Sequence, residues 1–297
     1  MKSLDIIIPV YNDPEGIKDT ITSIDKARRD SDNVLIIDNG STDRTPTVIQ
    51  NLIGDKDNME LYFEHDLQGS YAARNTGIQL AEGDLIAFLD ADETVEESYF
   101  ESAIGAMEDQ NVDYLGCNVE LTLSERTLVG RYNVRTGFPV EQYLRREHYA
   151  PTCALFVRRD VFTDVGRFDA RLISGGDREF GERVHNAGYS QGYTEAATVY
   201  HPARTGVAAL AKKNIRVGRG FCQKQRYHAD RYGTPGIPPR PHGDSSNDDA
   251  AEEALSLVVC AAFISLSLAM LACRGIGYYY EFVFGDERGT PQPTESS

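Results

Sequence analysis

Over residues 4–119 short β-type runs alternate with polar or amphipathic stretches, and polar residues recur just after the apolar runs. Alternation on this scale is the pattern of βαβ units, which build a mostly parallel sheet with helices on its faces. The pattern predicts strands at 4–10, 34–37, 59–63, 85–89 and 112–119, and helices at 15–27, 45–52, 70–80 and 95–107, with Thr42 or Asp43 placed to cap the second helix. Farther on the pattern is less regular. A strand is expected at 152–157, a helix at 161–165 with Asp160 as its cap, a helix at 176–187, a strand at 198–200 and a long helix at 206–227. Ligands collect beyond strand ends in open α/β sheets, so the polar strand ends are where a site is sought.

A chain of 297 residues can bury one large α/β core. Residues 1–232 are read as that domain, with halves 1–120 and 121–232. The Pro-, Gly-, Ser- and Asp-rich stretch 233–253 is a linker, 254–285 a hydrophobic helical appendage and 286–297 a disordered tail. The 46 acidic residues outnumber the 30 basic ones, net −16, which argues against nucleic acid as a partner. Only seven of the basic residues are Lys, and an acidic, Lys-poor surface is expected of a protein kept soluble in high salt. The five cysteines show no C-x-x-C spacing and read as small core residues. Asp5 interrupts the first apolar run, so no signal-peptide core is seen; the chain is expected in the cytoplasm or on the cytoplasmic face of the cell membrane.

Residues 254–273 carry no charge and are barely long enough to span hydrocarbon as a helix. They fit a membrane-inserted helix and, equally, a helix packed on the domain or in a homo-oligomer. The Gly275–Tyr280 stretch that follows suits an interfacial aromatic girdle or an apolar dimer surface.

Asp90 and Asp92 close the run at 85–89. On an extended chain such a pair shares a face, Ala91 between them adds no bulk, and two hard oxygen ligands suit Mg2+ or Mn2+. Asp is also common in plain turns. Asp38, in Asp38-Asn39-Gly40-Ser41-Thr42-Asp43, has an acceptor for a base N–H, and Gly40 allows a tight turn; an ordinary capped loop has the same string. Arg74 in Ala73-Arg74-Asn75 lies beside a nucleotide or in solvent.

Taken in series, Pro9-Val10-Tyr11-Asn12, the Asp38 string, Ala73-Arg74-Asn75-x-Gly77 and Asp90-Ala91-Asp92 follow the order and approximate spacing of the family 2 inverting glycosyltransferases. The chain resembles that family over about residues 4–92, extending to about 230. The resemblance implies a type A glycosyltransferase fold: a GT-A-like α/β single domain with a central mixed, mostly parallel sheet and flanking helices, here with the hydrophobic helical appendage. It makes 1–120 the nucleotide-sugar half and 121–232 the acceptor half. It also implies that Asp38 and Arg74 contact the base, that Pro9 and Tyr11 form the base pocket, and that Asp90-x-Asp92 brings Mn2+ or Mg2+ to the donor diphosphate. Asp92 is then the direct ligand, Asp90 touches ribose or metal-bound water, and His201 is a further candidate at metal or diphosphate. The expected donor is a nucleotide-sugar, UDP-linked in preference, and the expected acceptor a glycan, with a polyprenyl- or dolichyl-phosphate-linked one in view for surface-glycan or glycoprotein assembly.

Single displacement at the sugar carbon needs a carboxylate base near the attacking hydroxyl. Asp177 in Ser174-Gly175-Gly176-Asp177-Arg178-Glu179 is the candidate and Glu179 the alternate, although residues two apart diverge by about 200° around a helix. The family often has Glu where Gly176 stands, and that departure motivates a second reading, a noncatalytic nucleotide- or glycan-binding scaffold subunit. In the basic run 212–231, Lys212, Arg216 and Arg219 have one-face spacing, with Lys213 and Arg226 elsewhere. That face suits donor diphosphate or a lipid phosphate, or plain solvent. A nicotinamide oxidoreductase is disfavoured because the first strand leads into Pro9-Val10-Tyr11-Asn12-Asp13, not G-x-G-x-x-G.

Overall fold

The computed structural model describes residues 2–54, 56–239 and 256–285. Its centre is β1 (Leu4–Val10), every residue of which is buried. Such a strand is covered on both faces. It pairs in parallel with β2 (Asn33–Asp38) on one side and β4 (Leu85–Phe88) on the other, and β3 (Met59–Phe63) lies beyond β2. Helices α1 (Pro14–Ala27), α2 (Thr45–Ile53) and α3 (Ser70–Leu80) make the crossovers. In α1, Asp13 accepts from the Gly16 N–H at 2.9 Å and Pro14 opens the first turn, where its missing N–H costs nothing. Ile17, Ile21, Ile24 and Ala27 then face the sheet at helical spacing. Asp5, an acid in the core strand, accepts from Glu82 N at 2.7 Å, Gly83 N at 2.8 Å and Asn33 Nδ2 at 2.8 Å, so a buried charge fastens the turn before β4.

The second half supplies β5 (Thr94–Val95), α4 (Tyr99–Asp109), β6 (Tyr114–Thr122), α5 (Leu128–Arg135), α6 (Val140–Glu147), β7 (Leu155–Arg158), α7 (Arg159–Val165), α8 (Gly176–Asn186), β8 (Gln191–Pro202), α9 (Val207–Tyr227) and α10 (Ala229–Tyr232). All strands join one mixed sheet in the order β3-β2-β1-β4-β7-β6-β8-β5. The direction of winding reverses between β1 and β4, so their C-terminal ends open the crevice such a reversal creates.

Several boundaries differ from the sequence reading. Thr94 and Val95, expected to lead into a helix, form a two-residue antiparallel pairing with Tyr200 and Val199, and α4 starts only at Tyr99; β-branched residues favour the pleated neighbour over the helix. Residues 152–154 make a 3-10 turn after Pro151 before β7 begins. The strand expected at 198–200 is the end of the twelve-residue β8, whose Gly192 and polar residues hid its earlier part. Helix α5, capped by Thr127 accepting from Gly130 N at 2.9 Å, and α6 were not foreseen.

The hydrophobic appendage is α11 (Leu257–Phe284), longer than the uncharged run. It lies along α9 at backbone contact. A Cβ on Gly218 would sit 1.9 Å from Arg274 O, and one on Gly277 2.0 Å from Ile215 O. Arg274 Nε donates to Asn214 Oδ1 at 2.7 Å, while buried Glu281 accepts from Arg219 Nε at 2.7 Å and Gln223 Nε2 at 2.9 Å. Met270 joins Val129, Tyr132 and Leu210 in a small second core. The expected linker from 240 to 253 and the tail from 286 lie outside the described residues.

Candidate active site and metal corner

A cavity of about 1080 Å3 runs from the β1/β4 crevice to α9 and α11. The sequence motifs line or support its inner end. Asn12 N donates to Ser41 Oγ at 2.9 Å and Thr42 N to Asn12 Oδ1 at 2.8 Å, which stitches the Pro9–Asn12 loop to the Asp38–Asp43 loop. Pro9 and the half-exposed Tyr11 line the cavity. Asp38 does not reach the lining. It is buried, its Oδ1 accepts from Gly40 N at 3.1 Å and Ser41 N at 2.9 Å, and its Oδ2 has no partner among the described residues. Gly40 has φ +79°, a conformation that favours glycine. In the third motif, Asn75 binds both backbone groups of Phe168 at 2.8 and 3.0 Å and so joins the halves, and Gly77 lets α3 touch Ile7.

At the end of β4, Asp90, Glu93 and His201 bring one ligand atom each within 4.8 Å of one another. Arg74, itself buried, donates to Asp90 Oδ1 from beneath. His201 is stacked on Phe138, and its Nδ1 meets Pro202 O at 2.9 Å. Since that carbonyl only accepts, Nδ1 carries the proton and Nε2 is left as the ligand nitrogen. Glu93 is the residue the sequence reading missed. It is buried, its Oε2 accepts from Asp90 N at 2.8 Å, its N–H donates to Thr20 Oγ1 at 3.2 Å, and Oε1 has no hydrogen-bond partner among the described residues. Burial together with the Asp90 charge raises the Glu93 carboxyl well above its usual range. Asp92 lines the cavity beside this group, and burial raises it too. Crowded acids, a buried carboxylate oxygen without a hydrogen-bond partner and an imidazole nitrogen are a donor set that fits a divalent ion.

At the other end, α8 starts at Gly176. Burial raises Asp177 above the usual aspartate value, with the Arg178 N–H and the Lys224 and Arg74 charges opposing. Its Oδ1 accepts from Arg178 N at 2.9 Å, and it lines the cavity. Tyr71 OH accepts from Gly176 N at 2.9 Å, and its ring fills the space a side chain at 176 would need, 2.8 Å from a Cβ built there. That is the physical reason for glycine in place of the expected acid. Glu179, the alternate base, does not line the cavity. It is buried in an ion-pair group with Arg183 at 2.8 Å and Arg231, and these cations outweigh burial to hold its carboxyl below the usual range.

The basic run also departs from the reading. Lys212 is exposed and outside the lining, whereas Lys213, Arg216, Val217, Phe221 and Lys224 line the cavity at three- and four-residue spacing. Of the expected face Arg216 lines the cavity, Lys213 stands there in place of Lys212, and Arg219 pairs with Glu281. Burial and the neighbouring Arg204, Arg216 and Arg274 push Lys213 down to about 8.

The chain belongs to glycosyl transferase family 2, whose family model matches residues 5–166. It is a glycosyltransferase. It is 38% identical over 221 residues to glycosyltransferase AglE of Haloferax volcanii, covering 73% of this chain and 72% of that one. With the pre-mycofactocin glycosyltransferase of Mycobacterium tuberculosis it shares 28% identity over 212 residues, 69% of this chain but only 43% of the relative. Among solved structures, the fold is shared with the mannosyltransferase PcManGT of Pyrobaculum calidifontis, in complex with GDP-Man and Mn2+ (TM-score 0.58, 18% identity, 96% of this chain and 76% of that one). Residues 1–349 of S. aureus TarS, in complex with UDP-GlcNAc, share it as well (TM-score 0.54, 16% identity, 91% and 81%).

Proposed function

We propose that the protein transfers a sugar, with inversion, from a UDP-sugar to a glycan acceptor carried on a lipid phosphate, in surface-glycan or glycoprotein assembly. The observation that carries this reading is a single cavity lined both by Asp90, Asp92 and His201 and by Asp177, with buried Glu93 behind Asp90. Pro9 and Tyr11 serve the base, beside the loop that buried Asp38 holds through Gly40 N and Ser41 N. Asp90, Asp92 and His201, with Glu93 added, hold Mn2+ or Mg2+, which when bound supplies positive charge to the departing diphosphate. Arg204, Lys213 and Arg216 add their charge on the same side, in place of the expected Lys212. Asp177 takes the proton of the attacking hydroxyl, and Arg74 holds Asp90 in place.

The apolar outer face of α11 supports contact with a membrane. The helix is long and apolar enough to cross one, but residues from Phe263 to Glu281 are docked on α5 and α9, so a span would draw the domain into hydrocarbon. An in-plane seat on the cytoplasmic leaflet fits both facts. The acidic, Lys-poor composition supports work in high salt. Profiling lipid-linked glycans in cells with and without the protein tests the reading. An intermediate one sugar short must accumulate, and an unchanged lipid-linked pool contradicts it.

A further inference from the structure

The cavity holds a second cation for which the donor has no use. Lys224, on the last turn of α9, is 4% exposed and lines the cavity beside Asp177. Among the described residues its ammonium makes no hydrogen bond or ion pair; it sits between the rings of Phe221 and Tyr232, at 5.3 and 5.0 Å from their centres. The neighbouring acids are taken. Glu147 and Glu182 pair with Arg178 at 2.6 and 2.7 Å, and Asp177 is needed as a base. Room has been made for this side chain, because a Cβ on Gly175 would lie 3.1 Å from Lys224 Nζ, and Gly175 has φ +79°. The Gly175-Gly176 doublet thus clears space twice, for Lys224 and for Tyr71.

An ammonium that faces a cavity with no protein acceptor is a ready partner for an anionic ligand. The donor diphosphate has cations of its own, since Arg204, Lys213 and Arg216 group with Arg274 beside Asp90 and Asp92, and Lys224, which faces Arg178 and Asp177, is left for another anion. Resting on the assignment of Asp177 as base, we infer that Lys224 binds an anionic group, a carboxylate or a phosphate, carried by the acceptor next to the hydroxyl that is glycosylated. The acceptor sugar is then a uronate, or a sugar close to a phosphate.

Ligand-observed NMR on the full chain with UDP and Mn2+ tests this, using D-glucuronate, glucose 6-phosphate and D-glucose as probes. Wild type should bind at least one anionic probe about tenfold tighter than glucose, a difference of about 1.4 kcal/mol. Preference for glucuronate identifies a carboxylate, preference for the phosphate ester a phosphate. Lys224→Gln should erase the difference and Lys224→Arg keep most of it, with UDP binding unchanged in both. Equal binding of all three probes by wild type overturns the inference whether or not the variants fold. So does a Lys224→Gln protein that keeps the preference and only turns over more slowly, the behaviour of a lysine that merely keeps Asp177 ionised. Asp177→Asn should retain the anion preference, so failure of the base assignment is seen separately.

Discussion

Asp177 and Glu179, two carboxylates in the first turn of α8, have been given opposite tasks by what surrounds them. Glu179 is neutralised by Arg183 and Arg231, whereas Asp177 keeps one oxygen toward the cavity under partial compensation. Asp177→Asn should therefore lower the transfer rate by about 10²–10⁴ with nucleotide affinity unchanged, while Glu179→Gln should act chiefly on stability. Steady-state kinetics beside denaturant unfolding of both variants checks this; a selective rate loss in Glu179→Gln would move the base there. The pH profile follows from the sign of the shift. A base must be ionised, and burial raises Asp177 above 3.8, so activity should fall as pH drops through a value above that, an acid limb that Asp177→Asn should lose. The acidic pair, Asp38 and Asp177 could be singled out in sequence because they stand at strand and helix ends, the first three within motifs that recur in series in the family; acids are otherwise common in turns. Glu93 was not, since it follows the pair as one more acid in an acidic chain, and only the fold turns it back on Asp90 N–H.

Among the elements, the N-terminal strands and helices were legible to within a few residues because their apolar periodicity is unbroken. The faces of α9 were not. Its cavity-lining row mixes Lys, Arg, Val and Phe, and its phase is set by partners remote in sequence, the Gly218–Arg274 and Gly277–Ile215 contacts with α11. These glycines give a direct test. Gly277→Ala must push the helices apart and should cost about 1–3 kcal/mol, the range for overpacking, read as a lowered midpoint of urea unfolding; Gly275→Ala, where a Cβ meets nothing within 4 Å, should not. Equal midpoints for the two variants would mean that α11 does not bear on α9.

The whole molecule is an acidic domain with one long uncharged face. Val258, Ile264 and Leu268 are 78, 62 and 63% exposed, and both charges of α11, Arg274 and Glu281, are spent inward on α9. Asp at all three positions should move the protein from washed membranes to the soluble fraction with UDP binding intact. Wild type that is already soluble at native salt, and dimeric by light scattering, would give this face to a second copy instead. Deleting α11 is a different experiment, because Met270, Leu271, Arg274 and Tyr278 line the cavity and would be lost with it. The appendage, which the sequence fits equally to a membrane-inserted and to a packed helix, is part of the cavity wall, which composition alone does not reveal.

The account stands or falls on the corner where β4 ends. Isothermal titration of UDP and GDP, with Mn2+ and after its removal by EDTA, on wild type, Asp90→Ala and His201→Ala, examines it most directly. Wild type should bind UDP more tightly than GDP and lose that affinity without the ion, and both variants should bind as wild type does in EDTA. Nucleotide binding that ignores the metal in wild type and is unchanged in both variants would contradict the site.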